Sequence, residues 1–337
     1  MATIKDIAKA AGVSVTTVSR ALNGYSDVNE KTRERIKQIA QELQYSPNTL
    51  ARSLVMNKTK TIGLLVSGMT RGSIKDNFTY EILCGINDTT SSLDYDLIFF
   101  STNTSKQKEK SYTQLCRERK VDGVIIQGIK TDDPYLREVI DSDIPCVLID
   151  IPIEGASVGY ITTDNVLGAK NAVKHLLQLG HKHIGMINGH NQAFVSQQRL
   201  EGYRLGLIED NIDFNWNYVV NGAFDEDQAY LVSKKLLQTN PQLTAIFSAS
   251  DVMALGVLRA AKELNRSIPD DLSLVGYDDI VLASYVSPPL TTIAQDKYLM
   301  GQKAAELLVA MLQGGIEERR IVIDTVLVER SSTTKVN

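Results

Sequence analysis

Residues 3–24 read TIKDIAKAAGVSVTTVSRALNG, and this stretch predicts two short helices separated by a tight turn. Thr3 is placed to cap a first helix over residues 4–11, and Gly12 to end it, because helices often stop at a left-handed glycine. Ser14 is placed to cap a second helix over residues 15–22, whose apolar side is Val15, Val18, Ala21 and Leu22. Two such helices form a helix-turn-helix, in which the second helix enters the major groove of DNA.

The polar side of the second helix carries the chemistry expected of a DNA-reading surface. Arg20 can contact a guanine with two donors or hold a phosphate. Side chains short enough to reach base edges and phosphates stand at Thr16, Thr17, Ser19 and Asn23. An ordinary solvated helix face is the alternative for any one of them. A third predicted helix, over residues 30–43, closes a three-helix core with Ile36, Ile39, Ala40 and Leu43.

Charge is distributed unevenly along the 337 residues. Residues 1–60 hold ten Lys and Arg against five Asp and Glu, whereas the rest holds 26 against 35. A small basic head on an acidic body is expected when only the head meets phosphate. Charge alone would equally fit a basic solvated surface, so the prediction of DNA binding depends on the helices.

A linker follows the head. Pro47 stops the third helix, and Asn48 is placed to cap a new, very short helix. Because so short a helix is not stable alone in water, we expect it to fold on DNA.

Several motifs of this region resemble the lactose/galactose repressor (LacI/GalR) family. They are TIKDIA at residues 3–8, AGVS at 11–14, TVSRALN at 17–23, YSPN at 45–48 and ARSL at 51–54. The resemblance implies a homodimer on a palindromic double-stranded DNA operator, with two linker helices side by side in the minor groove and Leu54 wedged into the central base step. The predicted DNA contacts are Thr3, Ser14, Val15, Thr16, Thr17, Ser19, Arg20 and Asn23 in the head and Asn48, Ala51 and Leu54 in the linker.

From residue 61 short β-branched runs alternate with amphipathic helical stretches. The predicted strands are 61–66, 97–100, 123–127, 145–149, 183–187, 245–247 and 272–277, and predicted helices include 165–179, 197–210 and 251–264. Such alternation predicts an α/β body of parallel sheets with helices on both faces, and the number of units predicts two lobes. The expected domains are a helix-turn-helix head at 1–46, a hinge helix and linker at 47–60, and an effector-binding and dimerisation body at 61–337.

Polar residues follow several of these predicted strands. They are Ser67, Asp150, Ser250 with Asp251, and Asp278 with Asp279, while Arg199 lies near the start of a helix after the strand at 183–188. Parallel sheets bind ligands beyond the carboxyl ends of their strands, so these residues are candidates for a binding site. For each aspartate the alternative is a helix cap or an ion pair.

The body resembles the ligand-binding region of the same family, which is similar to periplasmic sugar-binding proteins. The likeness is carried by GHKHI at 180–184, RLEGY at 199–203, DVMALG at 251–256, VGYDD at 275–279 and PPLTTI at 288–293. It implies lobe N at about 61–160 plus 292–322, lobe C at about 161–291 plus 323–337, and effector contacts at Ser67, Asp150, Arg199, Phe224, Ser250 and Asp278. Sugar hydroxyls suit forked charged groups, and a sugar C–H face suits an aromatic plate, either Phe224 or Trp216.

Three departures from the family pattern concern the effector. Ser250 stands where many sugar-responsive members have asparagine, Lys297 stands where several have an aromatic or apolar residue, and residues 69–77 differ from the usual stretch. We predict a repressor of carbohydrate utilisation genes controlled by a mono- or oligosaccharide bound between the lobes. A purine or nucleoside effector, or a protein co-regulator, is the alternative.

Other classes of protein are disfavoured. No phosphate-binding loop, dinucleotide-binding motif or nucleophile elbow is present, so we do not expect an enzyme. Cys84, Cys116 and Cys146 are far apart and the four histidines lack zinc-ligand spacing, so no disulfide, metal or other cofactor is expected. Without a recognisable membrane span or secretory signal, the prediction is a cytoplasmic protein and not a secreted sugar receptor. A purely DNA-architectural protein would not need so large a body.

Overall fold

The computed structural model describes residues 2–45, 58–67, 75–101, 110–315 and 318–336. The chain divides into two compact units, a head and a body, which meet in the sequence between Thr59 and Lys60. The predicted linker contacts Asn48, Ala51 and Leu54 lie outside the described residues. Within those ranges, no helix combines the length and the apolar character that crossing a bilayer requires.

The head consists of three helices, α1 (Ile4–Ala11), α2 (Val15–Leu22) and α3 (Glu30–Glu42). At the start of α1 the Thr3 hydroxyl accepts the Asp6 N–H, and the Asp6 carboxylate accepts the Thr3 N–H (2.8 Å), which is a reciprocal capping box. Gly12 ends α1 with a φ of 64°, in the left-handed region that favours glycine. Ser14 Oγ accepts the Thr17 N–H (3.0 Å) and caps α2. The predicted bounds of all three helices agree with the structure to within one residue.

The head closes around side chains contributed by all three helices. Ile7, Val18 and Ile36 are fully buried, and Ala21 is 1% exposed. Val15 differs from the prediction, which placed it on the apolar side of α2, because its side chain is 41% exposed. As the first residue of α2 it precedes the buried stripe, which begins at Val18.

The body contains twelve strands and eight α-helices within the described residues. The strands are β1 (Thr61–Val66), β2 (Asp96–Ser101), β3 (Gly123–Gln127), β4 (Cys146–Ile149), β5 (Val158–Thr163), β6 (Ile184–Asn188), β7 (Val219–Asn221), β8 (Ala245–Ser248), β9 (Ser273–Asp278), β10 (Thr291–Gln295), β11 (Arg320–Ile323) and β12 (Thr325–Val328). The helices are α4 (Phe78–Ser92), α5 (Tyr112–Arg119), α6 (Pro134–Ile140), α7 (Asn165–Gln178), α8 (Phe194–Glu209), α9 (Glu226–Thr239), α10 (Asp251–Glu263) and α11 (Lys297–Leu312).

The first lobe is built on a parallel sheet with the strand order β11-β5-β4-β3-β1-β2. Strand β1 shows why its strands are apolar throughout. Ile62, Leu64 and Val66 pack with α4 and α11 on one face, while Leu65 packs with α5 and α6 on the other. Since successive side chains of a strand point to opposite faces, a sheet covered on both sides buries both sets.

The second lobe is built on a sheet with the order β12-β10-β9-β8-β6-β7. All of its neighbours are parallel except β10 and β12, which pair antiparallel at the edge. Helices α7 to α10 enclose it in one large core that contains Tyr203, Phe247 and Tyr277, each fully buried.

The chain crosses between the two lobes three times, each time at a single aspartate. Asp164 joins β5 to α7, Asp296 joins β10 to α11, and Asp324 joins β11 to β12. Asp164 and Asp296 also cap the helices that follow, each accepting a backbone N–H at 2.9 Å. Strand β10 pairs with β9 in the second sheet, so the return to the first lobe lies at Asp296 and not near residue 292 as expected. Sequence patterns cannot show which sheet a strand joins, because both sheets bury the same residue types.

Candidate functional site

A cavity of about 220 Å³ lies at the carboxyl ends of strands from both lobes. Its walls come from the ends of β3 and β4 in the first lobe and from residues that follow β6, β7, β8 and β9 in the second. Five of the six predicted effector residues line it: Asp150, Arg199, Phe224, Ser250 and Asp278. Ser67 follows β1 and donates its N–H to the Gln127 carbonyl (3.2 Å), but it is not among the described lining residues.

Arg199 lines the cavity and is only 2% exposed. Its Nε donates to Asn165 Oδ1 (2.8 Å), and its Nη1 donates to the Ala249 carbonyl (2.5 Å). Nη1 also lies 3.5 Å from Asp278 Oδ1, and the guanidinium stacks on the Tyr277 ring at 3.8 Å. These contacts hold the planar guanidinium in one orientation at the cavity wall.

Asp278 and Asp279 form a tight turn at the end of β9. Their φ angles are 107° and 51°, a region that residues with side chains rarely adopt. Lys297 Nζ donates to both of their carbonyls (2.7 and 3.0 Å), so Lys297 supports this turn from α11 and is not among the described lining residues. The Asp278 carboxylate accepts from Gln295 Nε2 (2.7 Å) and borders the cavity, whereas that of Asp279 pairs with Arg330 (2.7 Å). The adjacent acids therefore have different surroundings.

The first lobe contributes two more carboxyl groups. Asp150 follows β4 and accepts from Thr162 Oγ1 (2.7 Å). Asp76 precedes α4 and accepts the Phe78 N–H (3.0 Å). Together with Asp278 they place three carboxyl groups on the wall of one cavity.

Two polar atoms of the lining have no hydrogen-bond partner among the described residues. One is Oε1 of Gln127, which is only 5% exposed, and the other is Nδ1 of His190. Leaving a buried polar atom unbonded costs free energy, and such atoms in native proteins normally have an explanation. Both residues line the cavity, and these two atoms are themselves buried.

The apolar wall centres on Phe224, whose ring meets the His190 ring edge-to-face at 5.6 Å. Trp216, the other predicted aromatic plate, is 68% exposed and packs on Phe214 (4.8 Å between ring centres) outside the cavity lining. That alternative is therefore wrong. Further apolar contact is available from Phe78, Ile129, Ile149, Ile151 and Phe194.

Ser250 and Asp251 begin helix α10. The Ser250 hydroxyl accepts the Met253 N–H (3.2 Å) and so caps the helix while bordering the cavity. Asp251 is fully buried, and its carboxylate accepts from Thr292 Oγ1 (2.6 Å) and the Ile280 N–H (2.9 Å). Asp251 is therefore a buried structural residue, but through these two hydrogen bonds and not as the helix cap or ion-pair partner that was its alternative.

In the head, the predicted DNA contacts lie at the start of α1 and along α2. Arg20 pairs with Asp27 (2.7 Å), and its guanidinium lies 4.7 Å from the centre of the Tyr25 ring. The ion pair engages Nη2 of Arg20, whose side chain is 43% exposed. Thr3, Ser14, Val15 and Thr16 are exposed, while Thr17, Ser19, Arg20 and Asn23 are half-buried.

Comparison with known proteins matches both units. Residues 3–48 match the model described as bacterial regulatory proteins, lacI family, and residues 173–333 match a periplasmic binding protein-like domain. The HTH-type transcriptional repressor PurR of Vibrio campbellii is 36% identical over 340 residues, which cover 100% of each chain. The chain belongs to the LacI family.

Two further relatives are similar along almost the whole chain. The ribose operon repressor of Haemophilus influenzae is 35% identical and covers 98% of each chain. A crystal structure of the lac repressor dimer, bound to operator and the anti-inducer ONPF, is 29% identical with a TM-score of 0.81 over 99% of each chain. The comparisons confirm the predicted family, the helix-turn-helix head with an α/β two-lobed body, and a DNA-binding transcriptional regulator in place of an enzyme.

In this LacI-family cavity, burial shifts several protonation equilibria. Burial raises the pKa of Asp278 to about 7, while Arg199 opposes the shift and Asp76 adds to it. Burial also raises the pKa of Asp150 and of Asp76. It lowers the pKa of His190, which keeps that ring neutral. A hydrogen-bond donor brought by a ligand would stabilise the ionised carboxylates.

The raised pKa of Asp278 predicts a pH-dependent stability. The folded state holds this proton more tightly than the unfolded state does, so its contribution is complete at low pH and is lost as pH rises to about 7. We expect the difference in unfolding free energy between the wild type and Asp278→Asn to change by roughly 2 kcal/mol between pH 5 and pH 8. Urea unfolding followed by circular dichroism measures it. The exposed control Asp213→Asn should follow the wild type, and an unchanged pH profile for Asp278→Asn would contradict the assignment.

Sequence reasoning missed Asp76, Gln127 and His190. Gln127 ends β3, so the strand-end argument that selected Asp150 could have found it. His190 follows β6 in the same way. Asp76 lies within residues 69–77, where the departure from the family pattern marked a difference but not a role.

Proposed function

We propose that this LacI-family protein represses carbohydrate utilisation genes, and that a small sugar bound in the cavity between the lobes controls its affinity for DNA. It acts as a homodimer on a palindromic operator, with α2 of each head in the major groove. Because it works on the chromosome of a bacterium, its place of action is the cytoplasm.

The observation that carries the sugar effector is the excess of hydrogen-bond acceptors in the cavity. Asp76, Asp150 and Asp278 offer acceptors, whereas Arg199 is the one buried cationic side chain among the described lining residues. A sugar carries a hydroxyl donor on most of its carbons, and its C–H face can rest on the Phe224 ring. The composition of the wall therefore favours a polyol.

A purine effector is the second candidate, and the name of the repressor PurR fits it, as the name of the ribose operon repressor fits a sugar. A purine base offers few N–H donors and several ring-nitrogen acceptors. It would leave part of the carboxylate wall without donors, which costs free energy in a buried site. The wall thus supports the sugar over the purine.

Contacts between the lobes give the effector a means of control. Thr131 bonds through its N–H and its hydroxyl to the Gln192 carbonyl (3.3 and 3.2 Å), and Asn77 Oδ1 accepts the Val281 N–H (3.1 Å). A ligand that touches both lobes stabilises one of their relative orientations and so shifts the population. If DNA favours one orientation through the linker, then DNA and effector change each other's affinity by the same factor.

The direct test is a titration of labelled operator, selected from a random duplex pool, with and without sugars and purines at fixed salt. Salt is held constant because phosphate contacts make the affinity steeply dependent on it. We expect one neutral sugar to change the DNA affinity at least about tenfold, in either direction. A response to hypoxanthine or guanine alone would show that the effector is a purine and not a sugar. No response to any of these compounds would favour a protein co-regulator.

Gly189 offers a test of the Phe224 wall that replaces none of the polar side chains of the cavity lining. A Cβ at this position would overlap the Phe224 ring and approach Ser196 Oγ to 2.6 Å. We expect Gly189→Ala to displace the ring and weaken effector binding roughly tenfold, with operator affinity unchanged in the absence of effector. Calorimetry and DNA titration measure the two quantities. Gly315→Ala, whose Cβ would meet only an ordinary 3.7 Å contact, is the control. Equal effector affinity in both variants would show that Phe224 does not contact the effector.

A further inference from the structure

We propose that Asp76 is a specificity-determining residue, which makes the cavity select an uncharged, hydroxyl-rich monosaccharide and reject the phosphorylated form of the same sugar. The inference rests on the proposed function and narrows its effector class. Asp76 comes from the first lobe, whereas Arg199 and Asp278 come from the second, so this selection requires both lobes.

The position of Asp76 suits direct contact with a ligand. It lines the cavity, and the hydrogen bond that the structure describes for it is the Phe78 N–H to Oδ1 (3.0 Å). A carboxylate has room for about four hydrogen bonds. Asp76 therefore retains acceptor capacity for ligand hydroxyls.

The charges around the cavity favour an uncharged occupant. Asp76, Asp150 and Asp278 contribute three carboxyl groups, against the guanidinium of Arg199 and the ammonium of Lys297 behind the Asp278–Asp279 turn. Lys297 is itself shared with Glu81, 3.8 Å away. Lys130 also lines the cavity, but its side chain is exposed, so water screens it.

The N-terminus of helix α8 acts against these carboxylates, because it attracts anions. The first turn of α8, with Phe194 and Val195, also borders the cavity, and its N-cap residue Ala193 supplies no side-chain cap. A helix N-terminus attracts anions with the equivalent of roughly half a positive charge. The negative charge of the three carboxylates exceeds this partial positive charge. Removing Asp76 would bring the negative and positive charge around the cavity close to equal.

The size of the cavity also restricts which ligands it can hold. Its volume of about 220 Å³ is below the range of roughly 300–1,000 Å³ that is typical of sites for larger organic ligands. It therefore suits a single sugar ring without a phosphate group.

The experiment is calorimetry on the full chain at pH 8, above the pKa of about 7 of Asp278, with D-ribose, D-glucose and D-galactose and a phosphate ester of each. We expect at least one free sugar to bind the wild type about 100-fold more tightly than its phosphate ester. In Asp76→Asn that ratio should fall roughly tenfold, because one negative charge is gone while the amide oxygen can still accept the Phe78 N–H. If Asp76→Asn does not fold, Asp76→Ser removes the same charge and keeps an acceptor.

The matched control is Asp213→Asn, an exposed carboxyl outside the cavity lining, which should leave the ratio unchanged. A phosphate ester that binds the wild type as tightly as the free sugar would overturn the inference, and so would an unchanged ratio in the Asp76 variants. Binding of hypoxanthine or guanine with no binding of any sugar would instead reject the sugar effector. The charge selectivity would then be measured on the base against its nucleoside monophosphate, and lack of discrimination there would reject it too.

Discussion

Arg199→Met should abolish the response of DNA binding to the effector. The guanidinium is 2% exposed, donates to Asn165 and Ala249, and lies 3.5 Å from the Asp278 carboxylate. Its loss removes a donor to the ligand and leaves buried carboxylates without their cation, a change that costs roughly 3–5 kcal/mol where a buried pair is broken. We expect effector affinity to fall more than about 100-fold and the body to unfold at lower urea concentration.

The control for this variant is Arg204→Met on the same helix. Arg204 pairs with Glu201 at the surface, where both side chains are about two-fifths exposed, and such exposed pairs contribute little to stability. Calorimetry and operator titration should give Arg204→Met nearly the same effector affinity and operator affinity as the wild type. The operator affinity of Arg199→Met without effector should also stay within roughly threefold, because the head is a separate compact unit. If Arg199→Met still responds to the effector, Arg199 is not part of the effector site.

Ile36→Ala should abolish operator binding through the stability of the head. Ile36 is fully buried between the three helices, and replacing such a side chain by alanine costs roughly 2–5 kcal/mol. A domain as small as the head has a total stability of only a few kcal/mol, since stability is roughly 0.05–0.15 kcal/mol per residue. We expect most of the heads to be unfolded at 25 °C and operator affinity to fall at least about 100-fold.

Circular dichroism should show this loss as a missing helical contribution at low temperature, while calorimetry shows effector binding by the body as in the wild type. Glu34→Ala, an exposed position on the same helix, is the control and should bind operator normally. Lost effector binding in Ile36→Ala would show that head and body do not fold independently. Full operator affinity would show that the head does not depend on this core.

Much of the head could be predicted because its signals are local. Each eight-residue helix has an apolar stripe and a capping residue directly before it, and Thr3, Ser14 and Gly12, with its φ of 64°, act as predicted. Val15 is the exception, since whether the first residue of a helix is covered depends on what packs beside it. The hinge helix of the linker and its DNA contacts remain predictions.

The cavity could be predicted only in part. Asp150, Ser250 and Asp278 follow strands of parallel sheets, and the carboxyl ends of such strands converge, so their arrival at one cavity follows from position along the chain. The same rule selected Asp251, which is instead bonded to Thr292 and the Ile280 N–H, and Asp279, which pairs with Arg330. An aspartate after a strand faces either a ligand or its own neighbours, and only the backbone geometry of the turn separates the two.

The family, the helix-turn-helix head and the alternation of strands and helices in the body could all be predicted from the sequence, because each depends on residues close together in the chain. Three features depend instead on long-range packing: β10 joins the second sheet, Phe224 and not Trp216 lies at the cavity, and Asp76 and Gln127 line that cavity opposite Arg199 and Asp278 of the other lobe. Asp76 and Asp278 stand some two hundred positions apart in the sequence. Their shared surroundings arise from the packing of two separate sheets, which no local pattern encodes.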